Sequence, residues 1–217
     1  MKAVIFDLDG VITDTAEFHY IGWKYLADKL GIEIDREFNE TLKGISRIES
    51  LEKILIKGNK QNDFTDLEKQ ELAKDKNDYY LTLLEKLTPK DILENIKETL
   101  IYLKEEGIKT AIASASKNAP LILDKLEVTN YFEIVVNPES VEKGKPAPDI
   151  FLEAARLLGV NPTECIGVED SEAGVVSIND ANMYSVGIGS IDNLNHANIV
   201  INDTSSLKET LEKIINN

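Results

Sequence analysis

Short apolar runs alternate with segments of helical periodicity over most of the chain. The first run, KAVIF at 2–6, contains β-branched residues and ends abruptly at Asp-Leu-Asp-Gly, a pattern typical of a buried strand. Similar runs stand at 108–113, 133–136, 165–168, 184–188 and 198–201. Helical segments stand at 94–106, 148–158, 171–182 and 205–215, and one more helix has Pro120 in its first turn. Because strands and helices alternate, we expect a parallel sheet with helices on both faces.

One long segment interrupts this alternation after the first strand. From 15 to 88 the periodicity stays helical, with a first helix at 16–30 that Gly31 ends, and no strand pattern is evident. The sequence therefore predicts an α/β fold with a doubly wound parallel-sheet core at 1–14 and 89–217, and an inserted α-helical cap domain at 15–88. Hinges between the two are expected near Asp14–Ala16 and Leu87–Asp91.

Composition and charge exclude several classes of protein. The 217 residues are 42% hydrophobic and 29% charged, as in globular proteins, and no apolar run approaches the roughly 20 residues that span a bilayer. A net charge of −15 without a dense basic cluster argues against nucleic acid. One cysteine, Cys165, allows no internal disulfide, and the N-terminus lacks the pattern of a secretory signal. We therefore expect a cytoplasmic protein that binds neither nucleic acid nor membrane.

Polar side chains collect where the predicted strands end. They are Asp7 and Asp9, then Ser114, Ala115 and Ser116, then Lys145, then Glu169 and Asp170. Ligands of open parallel sheets bind at the carboxyl ends of the strands. Clustered carboxylates repel one another unless a cation lies among them, and Mg²⁺ prefers carboxylate, water and phosphate oxygens. The sequence thus predicts a site for Mg²⁺ and phosphate.

The spacing Asp7-Leu8-Asp9 has a chemical interpretation. Alternate side chains of an extended strand share a face, so both carboxylates can point to one side. One could attack phosphorus, and the other could carry a proton to or from a hydroxyl group. The alternative is a pair of acidic residues in a solvated turn, which this motif alone leaves open.

Four segments in order resemble the motifs of the haloacid dehalogenase superfamily. They are FDLDGVITDT, which fits DxDGxxxD; IASAS, with Ser114; KGKPAPDIF, with Lys145; and GVEDS, with Glu169 and Asp170. The resemblance implies a Rossmann-like core, with Asp7 as nucleophile and Mg²⁺ ligand, and Asp9 as general acid/base and metal ligand through its backbone carbonyl. It implies Asp170 as a ligand and Glu169 as a ligand or its neighbour. Residues implied to hold the phosphoryl group and neutralise its charge are Ser114, Ala115 and Lys145.

Within that superfamily, the chain is similar from end to end to the β-phosphoglucomutase family. In TAEFH, the likeness implies that Thr15 and His19 take part in catalysis. The residues implied in substrate binding lie in three segments: Gly44, Ile45, Ser46, Arg47 and Ser50 in LKGISRIESL, Lys76 and Asn77 in AKDKND, and Ala115, Ser116, Lys117 and Asn118 in SASKNAP. The resemblance implies a monomer that interconverts β-D-glucose 1-phosphate and glucose 6-phosphate. The route would use β-glucose 1,6-bisphosphate as activator and intermediate, and an aspartyl-phosphate at Asp7.

Two other functions fit the same motifs. A sugar-phosphate phosphatase would pass the phosphoryl group to water, and a non-catalytic protein would only bind sugar phosphates. Arg47 favours the mutase, because its planar guanidinium suits a second phosphate that a phosphatase does not need. Single residues remain ambiguous, since an arginine or lysine is often a surface ion pair and a lone histidine is often structural. We expect His19, Lys76 and Asp9 to form a hydrogen-bonded chain that aligns the acid/base carboxylate as the cap closes.

Overall fold

A computed structural model describes residues 1–216, and six parallel strands form its single sheet. The strands are β1 (Ala3–Phe6), β2 (Lys109–Ile112), β3 (Ile134–Val135), β4 (Cys165–Glu169), β5 (Tyr184–Ile188) and β6 (Ile199–Ile201), in the order β3-β2-β1-β4-β5-β6. This confirms the predicted doubly wound sheet. Each observed strand falls on a predicted apolar run, although β3 is shorter than the run 133–136.

The helices also follow the predicted order. They are α1 (Ala16–Lys29), α2 (Arg36–Glu40), α3 (Arg47–Lys57), α4 (Asp66–Leu84), α5 (Ile96–Glu105), α6 (Ala119–Lys125), α7 (Asp149–Leu158), α8 (Glu172–Asp180), α9 (Ile191–Leu194) and α10 (Leu207–Asn216). The last helix starts later than the predicted 205 because a 3₁₀ turn, Thr204–Ser206, precedes it under the side-chain cap of Asp203. In the described chain, none of these helices combines the length and apolarity needed to cross a bilayer.

Alternation along β1 divides the core into two layers. Val4 and Phe6 belong to a buried cluster with apolar residues of α5, α6 and α10. Ala3 and Ile5 belong to a second cluster, with residues of α7 and α8. Successive side chains of a strand point to opposite faces of the sheet, so β1 is covered on both faces. Helices on both faces were the sequence prediction, and it is confirmed.

The order of the strands fixes where a ligand can bind. From β1 the chain moves outward through β2 and β3, and then crosses back to β4 on the other side of β1. The crevice beyond the carboxyl ends of β1 and β4 is therefore the topological switch point of the sheet, where ligands of such folds bind.

The helices α1 to α4 stand between β1 and β2 in the chain and have a buried apolar cluster of their own. It includes Trp23, Leu26, Leu51 and Ile54. Two of the helices begin with reciprocal capping boxes, Ser46 with Glu49 for α3 and Thr65 with Glu68 for α4. The C-terminal half of α4 instead packs against the core, since Tyr80 and Leu84 belong to the cluster of Val4 and Phe6.

The two segments that join this helical block to the sheet lie side by side. Thr13 and Ile92 form an isolated antiparallel bridge, and the Thr13 hydroxyl donates to the carbonyl oxygen of Asp91 at 2.7 Å. The division of the chain after residues 14 and 88, and the hinges near them, remain predictions. These contacts support the hinge hypothesis because both connections cross at one place.

The buried cluster of α1 to α4 predicts a large stability difference between two identical substitutions. Leu51 is 0% exposed and Leu67 is 67% exposed. We expect Leu51→Ala to lower the free energy of unfolding by about 2–5 kcal/mol, because it leaves a cavity. Leu67→Ala should change it by less than about 0.5 kcal/mol. Urea denaturation measures both, and equal losses would contradict the packing described.

Candidate active site

A cavity of about 620 Å³ lies at the predicted edge of the sheet, between the strand ends and the helical block. Its wall brings together most of the residues predicted from the sequence: Asp7, Asp9, Ser114, Ala115, Ser116, Lys117 and Asp170 from the core, and His19, Gly44, Ile45, Ser46, Arg47, Ser50 and Lys76 from the inserted helices. The other predicted residues, Thr15, Asn77, Asn118, Lys145 and Glu169, lie behind or beside this wall.

Asp7 and Asp9 both line the cavity, and Leu8 between them lies in the apolar core. Regular β1 ends at Phe6, but the Asp7 N–H still donates to the Val168 carbonyl of β4 at 2.9 Å. A tight turn follows Asp9, in which the Gly10 N–H donates to the Thr13 carbonyl at 2.8 Å. Gly10 has φ +73°, and a Cβ there would come within 2.1 Å of Asp170 Oδ2. The turn therefore requires glycine.

Lys145 is the cation beside Asp7, at the part of the site that we call the nucleophile end. Its ammonium donates to Asp7 Oδ1 at 2.6 Å and to Glu169 Oε1 at 2.7 Å, and the side chain is 1% exposed. Burial alone lowers the pKa of Lys145, but the two carboxylates outweigh it and raise that pKa. Burial raises the pKa of Asp7, Glu169 and Asp9 add to this rise, and Lys145 opposes it.

Glu169 is held more firmly than the other carboxylates. Its Oε2 accepts from the N–H groups of Asp170 and Ser171 and from the Ser171 hydroxyl, at 2.6, 2.8 and 3.0 Å. A Cβ at Gly174 would come within 1.8 Å of Glu169 Oε1, so glycine is required beside it. With Oε1 bonded to Lys145, both oxygens of Glu169 have protein donors.

The acidic cluster fits a divalent cation. Carboxylate oxygens of Asp7, Glu169 and Asp170 lie within 4.8 Å of one another. Burial raises the pKa of Asp170 well above its usual range, and the charges of Glu169 and Asp7 raise it further. Negative charge concentrated in this way is what a bound cation relieves, and oxygen donors suit Mg²⁺. Because the oxygens of Glu169 are engaged, Asp7 and Asp170 are the better direct ligands.

Hydrogen bonds from residues of the inserted helices hold Asp9 in place. Thr15, which caps α1 and is buried, donates its hydroxyl to Asp9 Oδ1, and the Tyr80 hydroxyl donates to Thr15 at 3.1 Å. Burial raises the pKa of Asp9 to about 6, although the bond from Thr15 opposes this. A carboxyl group with such a pKa can both hold and release a proton near neutral pH.

His19 and Lys76 lie near Asp9, but the hydrogen-bonded chain that the sequence hypothesis expects is incomplete. Lys76 Nζ is 3.0 Å from His19 Nδ1, and His19 Nε2 is 3.8 Å from Asp9 Oδ2, beyond hydrogen-bond range. When Lys76 carries its charge it only donates, so Nδ1 then accepts and the ring proton lies on Nε2, toward Asp9. Burial and the charges of Lys76 and Arg47 lower the pKa of His19, which makes it neutral.

Lys76 is a buried lysine with aromatic neighbours. It is 1% exposed, and its ammonium lies 4.6 Å from the ring centres of both Trp23 and Tyr80. Burial, and after it the charge of Arg47, lower the pKa of Lys76 to about 7, and Asp9 opposes the shift. Trp23 belongs to the buried cluster of the inserted helices and also lines the cavity.

Part of the cavity wall, which we call the cationic end, carries the positive side chains of Arg47 and Lys117. Arg47, the first residue of α3, lines it together with Ser116 and Lys117 from the loop after β2. The Ser116 hydroxyl accepts from the Asn118 N–H at 3.2 Å, and Ser116 N–H donates to the Ser114 hydroxyl at 3.1 Å. These bonds order the loop that carries Lys117.

Two predicted residues meet outside the cavity. Asn118 donates its amide to the Asn77 side-chain oxygen at 2.9 Å, which joins the core loop to α4. Sequence reasoning missed Glu139, which lines the cavity and forms an ion pair with Lys117. It lies after β3, outside every motif, so no pattern in the sequence marked it.

Comparisons with known proteins agree with this geometry. A sequence model of the haloacid dehalogenase-like hydrolase family matches residues 1–182. The chain is 51% identical to the β-phosphoglucomutase of Bacillus subtilis, over 98% of this chain and 93% of that protein. A crystal structure of β-phosphoglucomutase from Clostridium difficile has a TM-score of 0.97 and 48% identity, with 100% of this chain and 97% of that chain covered.

A relative with another activity is more distant. The phosphorylated carbohydrates phosphatase of Thermotoga maritima is 27% identical over 100% of this chain and 97% of that protein. The resemblance to the superfamily that the four motifs indicated is thus confirmed over most of the length. The chain belongs to the haloacid dehalogenase-like hydrolase family.

Proposed function

We propose that this chain is a β-phosphoglucomutase, an isomerase that interconverts β-D-glucose 1-phosphate and D-glucose 6-phosphate. The observation that carries the proposal is one cavity that is lined by two different sets of charged residues. A nucleophile end holds Asp7 and Asp9, and a cationic end holds Arg47 and Lys117. A sugar with a phosphate at each end matches this arrangement. Full-length similarity to β-phosphoglucomutases supports it.

The reaction follows from the positions of the two carboxyl groups. Phosphorylated Asp7 transfers its phosphoryl group to the sugar hydroxyl at C6 while Asp9 takes the hydroxyl proton, which gives β-glucose 1,6-bisphosphate. The bisphosphate then turns end for end. Asp7 attacks the C1 phosphate, the bond from phosphorus to the C1 oxygen breaks, and Asp9 returns its proton to that oxygen. A trace of bisphosphate thus serves as activator, because it phosphorylates Asp7.

Charge stabilisation is the main demand of phosphoryl transfer. Lys145, bonded to Asp7, is placed to neutralise the transferring group, and Ser114 and Ala115 line the same end of the cavity. We propose that Asp7, Asp170 and the Asp9 carbonyl hold Mg²⁺, with Glu169 orienting Lys145 and the Asp170 backbone. When bound, Mg²⁺ supplies positive charge to the phosphoryl oxygens.

The remaining residues position the acid/base and the substrate. Thr15 fixes Asp9, and the neutral imidazole of His19 presents its N–H toward the same carboxyl group. Gly44, Ile45, Ser46 and Ser50 are proposed to follow the sugar. Gly44 lies against Ser171, where a Cβ would come within 2.5 Å of the Ser171 hydroxyl, so this loop can approach the core closely.

The setting of the enzyme is also proposed. One chain supplies every residue named above, so a monomer is sufficient for sugar-phosphate conversion. The single cysteine, which allows no internal disulfide, supports a cytoplasmic location. A sugar-phosphate phosphatase is the alternative, and the relative from Thermotoga maritima supports it. Arg47 and Lys117 favour the mutase, because a second cationic end serves a second phosphate. A purely binding protein is disfavoured by the bond between Lys145 and Asp7.

The first prediction separates mutase, phosphatase and binding protein. With β-glucose 1-phosphate, Mg²⁺ and a trace of the bisphosphate, we expect glucose 6-phosphate to form without inorganic phosphate. Asp7→Asn should abolish this activity, because an amide cannot accept the phosphoryl group. Asp63→Asn, at an exposed position between α3 and α4, is the matched control and should retain it. Stoichiometric release of phosphate would refute the mutase.

The second prediction concerns the cationic end. Arg47→Ala should raise KM for β-glucose 1-phosphate roughly 10- to 100-fold, since charge-assisted hydrogen bonds contribute about 1.5–3 kcal/mol. It should also raise the ratio of phosphate released to glucose 6-phosphate formed. Arg156→Ala, an arginine that is 67% exposed on α7, is the control. Unchanged KM and product ratio in Arg47→Ala would place the second phosphate elsewhere.

The third prediction tests the electrostatics of Lys76. Its folded-state pKa of about 7 lies below its ordinary 10.5, so the buried charge costs stability fully below pH 7, and the cost disappears as pH rises toward 10.5. Lys76→Met should therefore stabilise the fold at pH 6, by at most about 5 kcal/mol, and by much less at pH 9.5.

Urea denaturation at the two pH values measures the effect of Lys76→Met. The lost bond to His19 opposes the gain in stability at both pH values. Lys86→Met, at an exposed lysine, should show no such pH dependence. A stability gain that is equal at pH 6 and pH 9.5 would show that Lys76 is buried without a shifted pKa.

A further inference from the structure

The cationic end of the cavity contains one carboxylate that the proposed reaction does not use. Glu139 lines the cavity, and its carboxylate forms an ion pair with the ammonium of Lys117. Arg47 lines the same end from the inserted helices, and the negative charge of Glu139 also acts on Arg47. In the free protein, the carboxylate of Glu139 therefore lies where a distal phosphate would bind.

The backbone that presents Glu139 is well fixed. Pro138 and Glu139 lie in a single 3₁₀ turn that follows β3. The Glu139 N–H donates to the Asn137 side-chain oxygen at 3.0 Å, and the Ser140 hydroxyl donates to the Asn137 carbonyl at 2.7 Å. Pro138 fixes its own φ at the first position of the turn. Only the side chain of Glu139 therefore needs to move for the carboxylate to leave Lys117.

The ion pair is also easily exchanged. The Lys117 side chain is 51% exposed and the Glu139 side chain is 62% exposed, in contrast to the buried pair of Lys145 and Asp7. Exposed ion pairs contribute little to stability, because solvent screens both charges. A phosphate group that enters from the cavity, with more charge and more acceptor oxygens, can replace this carboxylate at Lys117.

We propose that Glu139 is a specificity-determining residue of the distal anion site, whose carboxylate holds Lys117 in the free protein and competes there with the phosphate of the ligand. The inference rests on the proposed function for the identity of the ligand, a sugar phosphate. Competition weakens binding of a lone phosphate. A ligand that also contacts the sugar-binding residues or the nucleophile end keeps those contacts and still binds.

This competition has a use in a mutase. The bisphosphate must leave each orientation before it can react in the other, so a distal site that held phosphate with two unopposed cations would slow the exchange. A carboxylate that returns to Lys117 when the phosphate leaves lowers the affinity of the site. It also reduces occupation of the cavity by inorganic phosphate, which is anionic and small enough to enter.

The experiment measures anion binding without turnover. Trp23 is the single tryptophan of the chain and lies on the cavity wall, so its fluorescence reports occupancy, with calorimetry as a second measurement. Inorganic phosphate and glucose 6-phosphate are titrated in EDTA, which leaves the nucleophile end acidic and repulsive to anions. Glu139→Gln should lower both Kd values about two- to fivefold, as expected for removal of one exposed competing charge.

Two further variants make the result specific. Glu142→Gln removes the same charge three residues away at an exposed position outside the cavity wall, and it should leave both Kd values unchanged. In the background of Lys117→Gln, Glu139→Gln should have little further effect, because the carboxylate then has no ammonium to compete for.

Several results would overturn the proposal. They are Kd values that are unchanged or raised in Glu139→Gln, an equal decrease in Glu142→Gln, a full decrease that persists in the Lys117→Gln background, and the absence of phosphate binding in both the original protein and Glu139→Gln. Because no turnover is needed, these results are independent of whether the chain is a mutase. The product assay with Asp7→Asn tests that question separately.

Discussion

Negative charge gathered at the carboxyl ends of β1 and β4 is the constraint to which the rest of the site responds. Asp7, Asp9, Glu169 and Asp170 lie together in a buried or half-buried place, which would be unfavourable without compensation. Three kinds of interaction compensate this negative charge. Lys145 bonds two of the carboxylates, the N–H groups after β4 bond Glu169, and the remaining charge suits a divalent cation. Glycines at 10 and 174 give these side chains the space they need.

The inserted helices also contribute positive and neutral side chains near these carboxylates. They bring Arg47, Lys76 and His19 to the wall of the cavity that the core carboxylates also line. Burial keeps His19 neutral and lowers the pKa of Lys76, so the charge of the cap side depends on its enclosure by Trp23 and Tyr80. Carboxylates and cations thus line one cavity, which suits the proposed ligand, a molecule with two phosphates. Asp7 is only 5% exposed, which limits the access of water to the nucleophile.

Much of this arrangement could be predicted from local patterns. Alternating apolar runs and helical segments indicated the parallel sheet, and the strand ends then identified Asp7, Lys145 and Asp170, because parallel strands end at one edge. The pairing of Asp7 with Asp9 followed from the same local reasoning, and both line the cavity while Leu8 between them lies in the apolar core.

The sequence by itself determined the order of elements, the chemical types at the strand ends and the likeness to a family, since these depend on residues close together in the chain. Only the tertiary structure decided how groups far apart meet. Glu139 reaches Lys117, and Asn118 reaches Asn77, through contacts between separate segments that no local periodicity encodes. The pKa values of Asp9 and Lys76 depend on burial for the same reason, because desolvation is a property of the folded surroundings and not of the neighbouring sequence.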